Sequence, residues 1–333
     1  MKILVTGVAG LLGSHIADEF IMNGDEVIGV DNLIGGYIDN INEEVEFHKF
    51  DTADFEKMNV LMRNVDLVFH AACTAYEGLS VFSPGFVVQN TYANSIPLFS
   101  AAIANGVEKI VFCSSMARYG QQKEIPFSED LVPRPQDPYG IAKLATELTI
   151  AELAETHDFK YVIAVPHNII GPRQKYNDPF RNVAAIMINL MLQGRQPVIY
   201  GDGTQVRCFS FIQDVVDPLL IMSKSDIDKE VINVGPDQGS VTINELAEII
   251  AKKLDFQLDP LYLPDRPREV KYATCSAEKA RKKLGFSPKT SLSEGLDQMI
   301  NYIDKRGPMK FEYHLPIEIS SDRTPRSWTE KLF

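Results

Sequence analysis

The stretch that most restricts the fold is Thr6-Gly7-Val8-Ala9-Gly10-Leu11-Leu12-Gly13. It follows the β-branched run Lys2–Thr6 directly and opens the helical pattern Leu11–Asn23. A strand that ends in a glycine turn and passes at once into a helix predicts the first βα unit of a parallel sheet. Gly7 permits the tight turn, Gly10 lets the backbone approach a pyrophosphate, and Gly13 lets helix and strand pack closely. Leu11 and Leu12 contribute their N–H groups to the helix start, where the dipole also favours a phosphate. Asp31 ends the second predicted strand, about 20 residues on. Its carboxylate suits adenosine ribose hydroxyls and repels a 2′-phosphate, which favours NAD over NADP. Asn32 beside it, Asp51-Thr52 after the third strand and Ala71-Ala72 after the fourth are further expected cofactor contacts.

The first half repeats this pattern. Lys2–Thr6, Glu26–Val30, Val45–Phe50, Leu67–His70, Lys109–Cys113 and Tyr161–Val165 read as strands. Leu11–Asn23, Phe55–Met62, Pro84–Asn105 and Pro138–His157 read as the helices between them. The alternation predicts an α/β chain with a Rossmann-type doubly wound parallel sheet. After Gly171-Pro172 proline and glycine become frequent, which predicts a smaller, loop-rich C-terminal substrate domain. The boundaries expected are 1–172 for the dinucleotide-binding part and 173–333 for the rest, with part of 205–235 returning to the first. The tail Lys310–Phe333 carries the single tryptophan, Trp328, and reads as an extension that packs back on the body or binds a partner.

A net charge of −12 argues against nucleic acid or an anionic membrane as partner, because both need a basic face. No apolar run approaches the roughly 18 residues that span a bilayer, and Gly7 comes too early for a signal peptide. Cys73, Cys113, Cys208 and Cys275 are widely spaced, so no metal site is expected, and free thiols suit a reducing cytoplasm.

Chemistry is predicted where the fifth strand ends, in Cys113-Ser114-Ser115-Met116-Ala117-Arg118-Tyr119-Gly120. The next helix begins at Asp137-Pro138 and carries Tyr139 and Lys143, four residues apart and so on one face. Tyrosine, with a pKa near 10, is a poor base at neutral pH; a nearby ammonium and a nicotinamide cation favour its phenolate. Bringing the phenol near neutrality requires about 4 kcal/mol from the site. Ser115 is placed to donate a hydrogen bond to a substrate oxygen as charge develops.

In order and spacing these motifs resemble those of the extended short-chain dehydrogenase/reductase family, the nucleotide-sugar epimerases and dehydratases. The resemblance covers almost the whole chain. It implies NAD as cofactor, with Ser115, Tyr139 and Lys143 catalytic, and with Asn90, Ser114, Tyr139, Lys143 and Pro166 among the cofactor contacts. It also implies nucleotide-sugar contacts at Ser115, Met116, Asn168, Arg173, Arg207, Arg266 and Ala273. Arg266-Pro267-Arg268-Glu269-Val270 resembles a diphosphate-contacting element, and arginine suits that task through bidentate pairing.

Dehydratases and decarboxylases of the family carry a carboxylate in the segment that here reads Met116-Ala117. Its absence favours reversible 4-epimerisation over a 4,6-dehydratase, with a 3,5-epimerase or a 4-reductase as alternatives. A silent dinucleotide sensor would be expected to lose Tyr139 or Lys143. A small residue at Ala273, where galactose-type enzymes have a bulky tyrosine, implies room for an N-acetyl group. Val165 stands where the family often has arginine, and His167 is expected in the site wall. The resemblance further implies a homodimer through a helix bundle of Pro84–Asn105 and Pro138–His157.

Overall fold

The computed structural model describes residues 1–267 and 270–333, apart from the side chain of Ala273. The chain opens β1 (Lys2–Thr6), α1 (Leu11–Met22), β2 (Glu26–Asp31), β3 (Glu46–Lys49), α2 (Phe55–Leu61), β4 (Leu67–His70). It continues through α3 (Glu77–Ser80), α4 (Pro84–Val88), α5 (Ser95–Ala104), β5 (Lys109–Cys113), α6 (Pro138–His157) and β6 (Lys160–Pro166). Beyond these come β7 (Ile169–Ile170), α7 (Val183–Leu192), β8 (Val198–Tyr200), β9 (Val206–Arg207), β10 (Ser210–Phe211), α8 (Ile212–Lys224) and β11 (Glu230–Val234). The remainder holds β12 (Val241–Thr242), α9 (Ile243–Lys253), β13 (Leu261–Leu263), β14 (Tyr272–Ala273), α10 (Glu278–Leu284), α11 (Leu292–Arg306) and α12 (Arg326–Thr329).

The main sheet has seven strands in the order β11-β6-β5-β4-β1-β2-β3, every pair parallel. The expected doubly wound sheet is therefore present. Its inner strands are largely apolar on both sides because helices cover both faces, whereas the edge strand β3 is mostly polar and partly exposed. In β1, Ile3 and Val5 enter one core while Leu4 enters the other; in β5, Val111 and Cys113 face opposite to Ile110 and Phe112. The first core is closed by α1 and α8, the second by α2, α5 and α6. The strand order reverses between β1 and β4, and the crevice at their C-terminal ends is the expected ligand position in such a sheet.

One expected helix is broken. Pro84–Asn105 forms α4, a π-helical turn over Gln89–Ala93, and α5. Pro97 lacks an N–H, and its ring would clash with the Ala93 carbonyl in a continuous α-helix. The widened turn relieves that conflict and brings Asn90 and Asn94 to the crevice. By contrast α6 starts where its sequence signals place it, with Pro138 in the first turn and the Asp137 carboxylate accepting from Gly140 N at 2.9 Å.

A third apolar cluster joins the two halves. It contains Tyr76, Phe82, Tyr139, Phe180, Leu263 and, from the tail, Leu315, Trp328 and Phe333. No helix among the described residues is long and apolar enough to cross a membrane.

Candidate active site

A cavity of about 480 Å³ lies at the C-terminal ends of the sheet strands. Gly7, Gly10, Leu11, Leu12, Gly13, Asp31, Asn32, Asp51, Thr52, Ala71, Ala72, Asn90, Ser114 and Pro166 all line it. So do Ser115, Tyr139 and Lys143. Asn168, Arg207 and Arg266 line it as well.

The glycine turn is built for close approach. Gly7 has φ +72°, and a methyl group at position 13 would stand 2.1 Å from the Gly7 carbonyl oxygen. Position 36 is equally closed, since a methyl there would meet the Ala9 oxygen at 2.1 Å. Gly36 thus lets the loop after β2 lie on the turn, a constraint the sequence reading missed. Asp31 ties the two together, accepting from Ala9 N at 2.9 Å and Leu33 N at 2.6 Å. Burial pushes its carboxyl pKa up, and these backbone donors oppose the shift. Asp51 accepts from Asn32 Nδ2 at 3.0 Å and Asn94 Nδ2 at 2.7 Å.

Beneath the cavity, His70 locks β4 to its neighbours. Ser95 Oγ donates to the Thr91 carbonyl, so His70 Nε2–H donates to Ser95 Oγ at 2.8 Å. The other ring nitrogen then accepts from Thr6 Oγ1 at 2.7 Å, and Thr6 Oγ1 accepts from Ala72 N. One neutral tautomer satisfies the whole chain. Burial, with the Lys143 ammonium nearby, pushes the ring pKa down to about 3.

At the catalytic end Ser115 and Tyr139 line the cavity together, and the Ser115 hydroxyl favours the ionised form of the Tyr139 phenol. Ser115 Oγ also accepts from Ala117 N at 3.2 Å, capping a short 3-10 turn. Burial holds the Tyr139 phenol well above its ordinary pKa. The Lys143 ammonium lies 5.9 Å from the Tyr139 ring centroid and donates to the Cys113 carbonyl at 2.6 Å. The protein alone therefore keeps Tyr139 protonated.

One turn beyond Lys143 stands Glu147, which the sequence reading missed. Its carboxylate accepts from the Ser114 hydroxyl and from Arg118 Nε, at 2.9 Å to each oxygen. Another guanidinium nitrogen of Arg118 lies 2.8 Å from Oε2, and both side chains are buried. The available signal was spacing: Tyr139, Lys143 and Glu147 recur every four residues on α6. A second missed residue is Arg181, which lines the cavity beside Gly35 and over the Tyr76 ring, with Nε lacking a hydrogen-bond partner.

Some expectations are corrected. Arg173 does not reach the cavity: with φ +68°, it directs its guanidinium to Asp18 at 2.6 Å and the Ser14 carbonyl at 3.2 Å. Met116, half-buried, packs against the core on the α5–α6 side of the sheet instead of lining the cavity. His167 is buried and is not part of the wall. The side chain of Ala273, together with Arg268 and Glu269, lies outside the described residues; the Ala273 backbone belongs to β14, beside Arg207 on β9. Asn168 reaches the cavity in a left-handed conformation, φ +38°, with Nδ2 donating to the Cys208 carbonyl at 3.2 Å.

Residues 3–235 match the NAD dependent epimerase/dehydratase family. The chain belongs to that family. It is 33% identical over 308 residues to a putative UDP-glucose 4-epimerase of Methanocaldococcus jannaschii, covering 90% of this chain and 98% of that one. The UDP-glucose 4-epimerase of Thermotoga maritima, solved with UDP-glucose, superposes with a TM-score of 0.87 at 36% identity, over 92% of this chain and 99% of that one. A UDP-N-acetylglucosamine 4-epimerase from Methanobrevibacter ruminantium, solved with UDP-N-acetylmuramic acid, gives 0.85 at 33% identity over 92% and 99%. The family's NAD fits this chain: Gly7, Gly10 and Gly13 line the cavity at the N-terminus of α1, in a turn whose close backbone packing leaves no room for a side chain at positions 7 and 13.

Proposed function

We propose that the chain catalyses reversible 4-epimerisation of a nucleotide-diphosphate sugar with NAD. The observation that carries this reading is the catalytic end of the cavity. Ser115, Tyr139 and Lys143 converge there, while Met116 packs against the core and Ala117 offers no carboxylate. In this reading Tyr139 takes the proton from the sugar 4-hydroxyl. Ser115, which lines the cavity with Tyr139, steadies the same oxygen as charge develops. NAD, when bound, supplies the hydride acceptor and donor, and its nicotinamide cation favours the Tyr139 phenolate that the protein alone disfavours. With no carboxylate on the 116–117 segment to drive elimination, the 4-keto sugar turns and is reduced on its other face in this reading. Arg207 and Arg266, which line the same cavity, are suited to the diphosphate.

The similarity to enzymes named for UDP-glucose and UDP-N-acetylglucosamine supports a UDP-hexose or UDP-N-acetylhexosamine substrate. A homodimer through α6 is part of the proposal. Ile141 and Leu148, two turns apart on α6, are 54% and 61% exposed and form an unpaired apolar stripe. Four free cysteines suit the cytoplasm. Incubation with UDP-, GDP-, CDP- and dTDP-sugars, read by NMR without added NADH, tests the reading. Conversion between C4 epimers is expected. Loss of water from the sugar, or no turnover of any sugar, would overturn it.

A further inference from the structure

The Thermotoga and Methanobrevibacter enzymes match 99% of their own length but only 92% of this chain, so this chain carries additional residues. The tail after α11 is the segment of suitable length, and it is fastened at both ends of the site. Near α4, Glu318 accepts from Gly85 N and Phe86 N at 2.8 and 2.6 Å, and Ile319 N donates to the Phe82 carbonyl. On the other side, Ser327 Oγ bonds the Tyr200 hydroxyl, and Trp328 Nε1 donates to the Pro179 carbonyl at 3.3 Å. The indole nitrogen is thus satisfied, and the ring is held between Phe82 and Phe180, 5.8 and 5.2 Å between centroids.

Trp328 is only 3% exposed, yet it lines the cavity. Its ring tip and Arg266 converge on Gly78: a methyl there would stand 4.0 Å from the indole and 3.2 Å from the guanidinium. Gly78 itself lines the cavity next to Glu77, and Tyr139 belongs to the same apolar cluster as Trp328. The indole therefore lines the same cavity as the proposed catalytic base and lies close to a proposed diphosphate arginine. A sugar held with its diphosphate at Arg266 comes within reach of the indole. An apolar indole edge with its N–H already bonded suits the C–H groups of a sugar ring.

We propose that Trp328 is a substrate-contacting residue, and that the tail presenting it restricts which sugars enter. This rests on the nucleotide-sugar reading above. Trp328 is the only tryptophan, so its emission reports the contact directly. The holoenzyme is titrated with UDP, UDP-glucose and UDP-N-acetylglucosamine, with calorimetry in parallel. A saturable change in emission is expected with at least one UDP-sugar and a smaller one with UDP. Trp328→Ala should raise KM for the preferred sugar about tenfold, with a smaller change in kcat, and should shift the ratio of kcat/KM between the two sugars. Trp328→Phe, which keeps an aromatic wall, should restore most of the loss; if the alanine variant does not fold, the emission titration of the parent protein decides. Calorimetric binding of the sugars with unchanged emission, or a folded Trp328→Ala variant with wild-type KM and sugar ratio, would overturn this inference alone. Absence of any calorimetric binding would overturn it together with the nucleotide-sugar reading.

Discussion

Removing the Glu147 carboxylate should destabilise the fold far more than removing the whole pair. Glu147 and Arg118 are 3% and 6% exposed in their side chains, and the carboxylate takes two guanidinium nitrogens and the Ser114 hydroxyl. Glu147→Ala leaves a buried guanidinium with no counter-ion, which costs about 3–5 kcal/mol. The unmatched Ser114 hydroxyl adds about 1 kcal/mol. Against a typical total of about 5–15 kcal/mol, this is a large fraction, and Tm should fall by on the order of 10 °C. Replacing both partners with apolar residues, Arg118→Met with Glu147→Leu, removes the desolvation penalty along with the attraction. The double variant should therefore recover at least about 2 kcal/mol relative to the sum of the single losses. Urea denaturation of the four proteins closes the cycle. A loss below about 1 kcal/mol for Glu147→Ala, or additive single effects, would refute the assignment of this pair as a strut under the Ser114–Ser115 strand end.

Tyr139→Phe should lower kcat by about 10²–10⁴-fold while calorimetry shows NAD bound as in the parent; retained turnover would remove Tyr139 from the chemistry. His70 predicts an acid-sensitive fold: below about pH 6.5 the unfolded chain takes up a proton at this ring that the folded chain refuses until about pH 3. Stability is therefore fully present above that window and falls with pH by about 1.4 kcal/mol per unit within it. His70→Gln should lose stability at neutral pH yet show a shallower acid slope, and parallel slopes would contradict the account. Gly13→Ala places a methyl against the Gly7 carbonyl, where neither backbone can yield. It should lower NAD affinity about tenfold or more, or destabilise the fold by about 1–3 kcal/mol; calorimetry and thermal melts decide.

Local rules made much of this molecule legible. The glycine turn, the β-branched strands and the Asp137-Pro138 start of α6 are read from a few adjacent residues, and the sheet follows from their alternation. Pro97 shows how a single residue overrides a helical period, turning one expected helix into three pieces. Arg173 shows where motif reading fails: a left-handed backbone sends its side chain to Asp18, a partner 155 residues earlier. Glu147 and Arg118 are 29 residues apart, and Trp328 meets a carbonyl 149 residues away. No local period encodes such contacts, so the strut and the tail's share of the cavity become visible only in three dimensions.

The central claim is that hydride leaves and returns to the same sugar carbon. Conversion of a UDP-sugar in D₂O, followed by proton NMR, tests it most directly. The account predicts the C4 epimer with its C4 proton retained and no net accumulation of NADH. Deuterium at C4, or a released keto or deoxy sugar, would contradict it.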